Sequence, residues 1–394
     1  MQKKTTLLFH DAFIHRSGTE RININIANIL SADIATAIWS TNSYVPGDLG
    51  YHGKIIELFR GVYAGWFGFL RMKWAFLWSW SVTKHYDRII FSNEALTAIH
   101  RVRSGTETIY YAHSLPHELF DGKDEYMRSI PFFFHEFYSL SFWIRKKLYL
   151  YELRKVGKIA TNSRMNQEWL EKWCLRTDIQ VIYPPVNILR FHPQKTKVPY
   201  IIEEHNNVES MVVKEVKEYY ISLSRLKKNK NVDKIIHAFV HMPEKNLIIL
   251  YDPRDSETEI LMNMARGNDN IFFLSESSDM KMAKIIGNAV ASITVAKDEN
   301  FSMVSIESMA CGIPMIGIDA WAVKESIIDG TTGSLISWDL TIYTLMAAIR
   351  DMTPAKALGM QKACVERARE FSLERFTTEL ETYIGSGEHE KKEA

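Results

Sequence analysis

Three cysteines are all that this 394-residue chain holds. Cys174, Cys311 and Cys364 lie far apart and show no metal-ligand spacing, so a disulfide framework is not expected and a reducing compartment fits. Net charge is equally scarce. Lys and Arg number 48 against 47 Asp and Glu, leaving +1, which gives no overall pull toward nucleic acid. No uncharged apolar run reaches the ~18 residues of a membrane-spanning helix. The opening MQKKTTLLFHDAF lacks the apolar core of an export signal, so a cytoplasmic chain is expected. No internal repeat is visible. What remains is 46% hydrophobic and 24% charged, the composition of a globular chain with a sizeable core. Its length favours two domains of ordinary size. Residues 385–394 read as a disordered, charged end.

The most informative stretch is 291–335. Ala291 to Ala296 is a short β-type run, followed by the polar break Lys297-Asp298-Glu299-Asn300. A helical pattern starts at Phe301, with Val304, Ile306 and Met309 spaced for burial. Gly312 stops that helix and Pro314 bars its return. Met315 to Ile318 is a second β-type run, so the stretch predicts a βαβ unit and a parallel sheet. In such a unit the loop after the first strand faces the ligand crevice, and the helix behind it offers free N–H groups that suit phosphate. Glu299 and Glu307 stand eight residues apart. At ~3.6 residues per turn they are expected on one face, where carboxylates can each accept bonds from vicinal hydroxyls of a sugar or a ribose. The plain alternative is an ordinary crossover with solvated acids.

Further strands are expected at 5–9, 87–93, 107–113, 158–162, 179–183, 218–224, 247–251 and 271–274. Helices are expected over 20–30, after Ser163 as N-cap, over 231–242 and over 280–287. The loop 10–19 leads into the first helix, where Gly18 supplies a permissive turn. His113 falls at a strand's carboxyl end, where crevice residues sit, although a lone histidine is more often structural. Residues 55–82 mix Trp66, Trp74, Trp78 and Trp80 with Arg60, Arg71 and Lys73. They suit either a helix lying in a membrane interface or a pair of core helices. Residues 125–156 form a long basic-aromatic helical region, and 194–215 read as linker or surface insertion.

The ordered set Glu299-Asn-Phe-Ser-Met-Val-Ser-Ile-Glu307, Gly312-Ile-Pro314, Glu325 and Asp329-Gly330-Thr-Thr-Gly333 resembles the donor-site signature of retaining glycosyltransferases of family 4. Ser17-Gly18-Thr19-Glu20-Arg21, the Tyr110 to Pro116 run with His113, Tyr183-Pro-Pro-Val-Asn187 and Ser224-Arg225-Leu to Lys230-Asn231 resemble further elements of that family. Departures are one missing glycine near Gly18, Ser224 in place of glycine, and Ala320-Trp321-Ala322 in place of a glycine pair.

The resemblance implies the GT-B fold: two Rossmann-like α/β domains with parallel sheets facing a central cleft. The implied division is residues 1–185 as acceptor domain, 186–370 as donor domain, and 371–394 as a helix crossing back plus the tail. It implies transfer of a hexose from a nucleotide-sugar donor with retained configuration, to a glycan or lipid-linked acceptor. Mannose, and with it a GDP-sugar over a UDP-sugar, is favoured by the Tyr110 to Pro116 element. Glu299 and His113 are implied to orient the hexose and Glu307 to hold the ribose. Arg225 and Lys230 are implied to steady the leaving diphosphate, with backbone N–H groups of Phe301, Ser302 and Met303 assisting. Gly18 lies near the donor phosphates and Ser275 near the base. No metal and no cofactor is expected, because those cations and the helix at Phe301 neutralise the diphosphate. Membrane contact, if any, is peripheral, through residues 55–82 at the inner face. The rival readings are a catalytically silent membrane-bound scaffold and another enzyme of the same fold, such as a sugar-nucleotide epimerase. A glycan phosphorylase would need a pyridoxal lysine, for which no motif is present.

Overall fold

The computed structural model describes residues 5–59, 65–128, 130–194, 198–206, 210–276 and 278–385. The charged end beyond 385 and Arg60 within 55–82 therefore lie outside the described residues. Two compact units are present, one formed by 1–183 with 379–394 and the other by 184–378.

The first unit is built on seven parallel strands: β1 (Thr6–Phe13), β2 (Asp33–Trp39), β3 (Ile55–Glu57), β4 (Arg88–Ser92), β5 (Glu107–Ala112), β6 (Lys158–Thr161) and β7 (Ile179–Val181). Their spatial order is β3-β2-β1-β4-β5-β6-β7, so the order turns back between β1 and β4. Strands covered on both faces read as continuous apolar runs, and Leu7, Leu8 and Phe9 of β1 are all fully buried. Phe9, Phe91 and Tyr110 share one core with Met72 and Phe76 of helix Gly65–Leu77 and Leu153 of helix His135–Lys155.

The second unit contains β8 (Tyr200–Asn206) and β9 (Ser210–Val216), an antiparallel pair. Six parallel strands follow: β10 (Tyr219–Leu223), β11 (Asn246–Leu250), β12 (Ile271–Leu274), β13 (Ser292–Thr294), β14 (Met315–Ile318) and β15 (Gly333–Ile336). Their order is β12-β11-β10-β13-β14-β15, turning back between β10 and β13. Successive strand residues point to opposite faces, and β10 shows how both faces are closed. The Tyr219 hydroxyl donates to the Ile285 carbonyl at 2.6 Å and the Tyr220 hydroxyl to the Met352 carbonyl at 2.7 Å.

Four expectations need correction. β1 runs on to Phe13, so His10 and Asp11 belong to the strand and not to a loop. Residues 194–215 are no plain linker: they run into the antiparallel strands β8 and β9, which fits the surface-insertion alternative. The helix expected from Glu94, after β4, is a 3-10 helix, Asn93–Arg101. The region 125–156 is broken at Pro131, which lacks the N–H that a continuous helix would need.

β15 approaches its neighbour closely. A Cβ on Gly333 would stand 2.1 Å from the Met315 carbonyl oxygen. Gly333→Ala is therefore expected to cost about 3 kcal/mol of stability, at the upper end for overpacking, measured by urea unfolding. A cost under ~0.5 kcal/mol would show that the β14–β15 register is not as described.

Candidate active site

Where the strand order of a parallel sheet reverses, the loops that follow the two central strands diverge and leave a crevice. In the second unit that point lies between β10 and β13. The loop after β10 carries Arg225, Lys227 and Lys230, and the loop after β13 carries Glu299. Two bonds tie these loops together. The Lys297 amide donates to the Asn229 carbonyl at 2.7 Å, and the Asn231 side chain donates to the Val295 carbonyl at 2.8 Å. Asn231 has a left-handed φ of 52°, which asparagine tolerates better than most residues. As a result Lys230 Nζ lies 2.5 Å from Glu299 Oε2, each side chain about one-fifth exposed. The Ala322 amide fixes Glu299 from the other side, donating to its carbonyl at 3.0 Å.

Arg225 is held by a residue that the sequence did not point to. Its Nε donates to Asp255 Oδ1 at 2.9 Å, and the Leu226 amide donates to Oδ2 at 2.8 Å. The Asp255 carboxylate is wholly buried while Arg225 is about one-third exposed. This leaves the terminal guanidinium nitrogens without a partner among the described residues. Burial lowers the Lys227 pKa, with the neighbouring Arg225 acting the same way against Asp255. Three cations thus stand beside two carboxylates, an excess of positive charge suited to a diphosphate.

Helix Met303–Ala310 starts at this crevice. Ser302 is its N-cap and its hydroxyl accepts from the Ser305 amide at 3.3 Å, so the first-turn amides remain as donors. Phe301 is buried, its ring 5.8 Å from that of Phe371; it anchors the loop through packing. Because the helix begins only at Met303, Glu299 is in the preceding loop. The expectation that helical periodicity carries both glutamates on one face is therefore incorrect. Glu307 sits one turn into the helix and is nearly buried. Beside it, burial pushes the Cys311 thiol up to about 12, with Glu307 acting the same way, so this cysteine is an inert core group. Ser275 directly follows β12 and is exposed. Trp321, where a glycine pair is expected, has a φ of 58°. That left-handed backbone is the conformation glycine accepts freely and a bulky residue holds only under strain.

In the first unit the reversal lies between β1 and β4, and a buried polar network fills it. His113 Nε2 is 3.2 Å from Asn23 Oδ1. The Asn23 amide nitrogen is 3.1 Å from both His10 Nδ1 and Ser92 Oγ, and His10 Nδ1 is 3.0 Å from Asp11 Oδ1. His113 Nδ1 has no partner among the described residues. Burial, and secondarily His10, lower the His113 pKa to about 3, so the ring is neutral at pH 7 and serves as a hydrogen-bonding group. Gly18 is the first residue of helix Gly18–Leu30, at a helix start as expected. The loop before it is shaped by Glu20, whose carboxylate accepts from the amides of Ile14, His15 and Ser17 at 2.8 to 3.0 Å. Ser17 and Glu20 form a capping box, a pattern readable in Ser-x-x-Glu. A cavity of about 200 Å³ in this unit is lined by Asp11, Glu94, Glu118, Glu152, Tyr110 and Tyr149 among others. Carboxylates and phenols are the groups that bind sugar hydroxyls.

Paired parallel sheets with this strand order define a class, the GT-B fold. The structure aligns with sucrose-phosphate synthase of Thermosynechococcus elongatus at TM-score 0.74 and 17% identity, covering 97% of this chain and 98% of that one. It aligns with Anabaena HepE in complex with UDP and glucose at TM-score 0.72 and 15% identity, covering 97% and 100%. Residues 204–371 match the family model for glycosyl transferases group 1. Curated relatives include N-acetyl-alpha-D-glucosaminyl L-malate synthase of Bacillus anthracis, 26% identical over 42% of this chain and 44% of that one. Another is alpha-1,3/1,6-mannosyltransferase ALG2 of Kluyveromyces lactis, 19% identical over 62% and 53%. The match spans less than half the length of the first of these relatives and about half of the second.

His113 also makes stability depend on pH. Its folded pKa of about 3 lies below the ordinary 6.5, so the unfolded chain binds the proton first as pH falls. The stability it contributes is complete above about pH 6.5 and is lost from there toward pH 3, at up to ~1.4 kcal/mol per pH unit. Burial of His117, whose pKa falls to about 4, adds in the same direction. Denaturant unfolding from pH 7 to pH 4 should show this slope, and His113→Gln should flatten it. An unchanged slope in that variant would mean that His113 is not buried neutral.

Proposed function

We propose that the chain is a metal-independent retaining glycosyltransferase that moves a hexose from a nucleotide-sugar to a glycan or lipid-linked acceptor. The observation that carries this is Lys230 set 2.5 Å from Glu299 beside Arg225, at the reversal point of the second sheet. Arg225, Lys227, Lys230 and the first-turn amides of helix Met303–Ala310 supply the positive charge that a departing diphosphate requires. Lys230 is neutralised by Glu299 in the donor-free state, so both side chains are held in place before the donor arrives. Glu307 holds the ribose, Glu299 the hexose, and exposed Ser275 the base. His113, neutral and with one nitrogen to spare, is the first unit's contribution to hexose orientation. The acidic cavity lined by Tyr110 and Tyr149 suits the acceptor's hydroxyls.

Mannose is favoured by the Tyr110 to Pro116 element and supported by a mannosyltransferase among the relatives. Mannose brings GDP as the expected nucleotide. The HepE complexes with UDP and UDP-glucose make a UDP-hexose the direct rival. Peripheral contact with a membrane inner face through residues 55–82 is supported by the exposure of Trp74, Trp78 and Trp80.

Nucleotide release across GDP-, UDP- and ADP-sugars tests the assignment. One donor is expected to be hydrolysed slowly, with Lys230→Ala and Glu307→Ala each lowering the rate by ~10²-fold or more. Silence across the panel, together with no nucleotide binding by calorimetry, would return the chain to a silent scaffold.

A further inference from the structure

Helix His135–Lys155 presents its wrong face to water. Phe142, Leu153 and Glu152 are its buried side chains, and Phe142 with Leu153, about 20° apart around the axis, fix which side meets the core. On the opposite side Phe137, Leu140, Ile144, Leu148 and Tyr151 are all exposed, by 44 to 64%. At ~3.6 residues per turn these five fall within an arc of about 80°. The other exposed positions beyond Glu136 are Trp143, Lys147, Arg154 and Lys155. Past its first turn, then, the water-facing surface of the helix is apolar or basic throughout. Phe132, Phe133 and Phe134 immediately precede it, Phe132 being 82% exposed. A patch of this extent marks a contact surface in a soluble chain.

We propose that this face docks on an anionic lipid bilayer, lying in the headgroup region. The charge pattern selects the occupant. Lys147 Nζ stands 6.0 Å over the Trp143 ring and Lys155 Nζ 4.7 Å over the Tyr151 ring. Cations and aromatics are thus interleaved on one surface, as an interfacial helix requires. Among the described residues no carboxylate pairs with Lys147, Arg154 or Lys155. An isologous dimer would bring these like charges together, and protein interfaces are depleted in lysine. An anionic surface satisfies the cations and the headgroup region accepts the rings. Insertion stops there, because no helix among the described residues is long and apolar enough to cross a membrane.

The indoles at 74, 78 and 80 are exposed as well. Helix Gly65–Leu77 and helix His135–Lys155 both pack on the 3-10 segment Asn93–Arg101. Lys73 Nζ reaches Glu94 from one side at 2.5 Å and Glu152 meets His100 from the other at 3.3 Å. The inference deepens the membrane contact proposed for residues 55–82 and shifts its main surface to the later helix.

The test is flotation of the full chain with phosphatidylcholine vesicles containing or lacking phosphatidylglycerol. Wild type is expected to float with the anionic vesicles and to be released at ~1 M salt, where the Debye length is ~3 Å. Phe137→Glu with Ile144→Glu, and separately Lys147→Glu with Arg154→Glu, should each weaken binding at least about tenfold. All four positions are solvent-facing, and circular dichroism confirms that each variant folds. Absence of wild-type binding would overturn the proposal. So would retained binding in both variants with loss only in Trp74→Glu, Trp78→Glu, which would leave contact with residues 55–82 standing alone. A wild-type dimer that binds no vesicle and turns monomeric in Phe137→Glu, Ile144→Glu would assign the face to a second copy instead.

Discussion

Two hydrogen bonds between neighbouring loops decide what the second unit can do. Asn231 donating to Val295, and Lys297 donating to Asn229, join the loop after β10 to the loop after β13. Each such bond is worth about 1 kcal/mol net, a small contribution to stability. Their positional effect is larger. The strands β10 and β13 are neighbours only because the sheet reverses its order there, and without the bridge their loops would diverge. With it, a lysine from one loop meets a glutamate from the other at 2.5 Å. The left-handed Asn231 is the hinge of this arrangement, since it ends the clamp loop and opens helix Val232–Val240 at once.

The two units use the same topology for opposite electrostatics. At its reversal point the second unit gathers Arg225, Lys227 and Lys230, and anchors Arg225 with a buried carboxylate. At its own reversal point the first unit gathers His10, Asn23, Ser92 and His113, bound to one another and largely removed from water. His113 in that setting stays neutral, because burial penalises its charged form. The first unit therefore offers hydrogen bonds without much charge, while its cavity is lined by carboxylates. A diphosphate has reason to bind the second unit, and hydroxyl groups have reason to bind the first. This division follows from side-chain chemistry in each unit taken alone.

Much of the second unit was legible in the sequence because its signals are local. Fully buried β13 and β14, the stop at Gly312 and Pro314, and the basic loop after β10 each occupy a few consecutive residues. Asp255 was not legible, because its partner Arg225 lies thirty residues away and no spacing rule joins the two. Glu299 was legible as part of the polar break after β13, but the sequence pattern starts the helix at Phe301 while Ser302 is the cap, so the one-face relation to Glu307 does not follow from helical periodicity. The β8–β9 pair was missed because its strands mix charged and β-branched residues without clean alternation.

Aromatic residues show where composition alone fails. In residues 55–82 the sequence offers two readings, interfacial helix or core helices, and the side chains divide between burial and exposure. Phe76 is fully buried while Trp78, two positions on, is 74% exposed. Helix His135–Lys155 poses the same problem in stronger form. It is apolar on its core side and apolar again on its water side, so no amphipathic period emerges to flag either face. A moment calculated for one partner cancels when a helix has two. Low amphipathicity in a long, aromatic, basic helix thus leaves its core face unmarked in the sequence, and only the fold shows which side is internal.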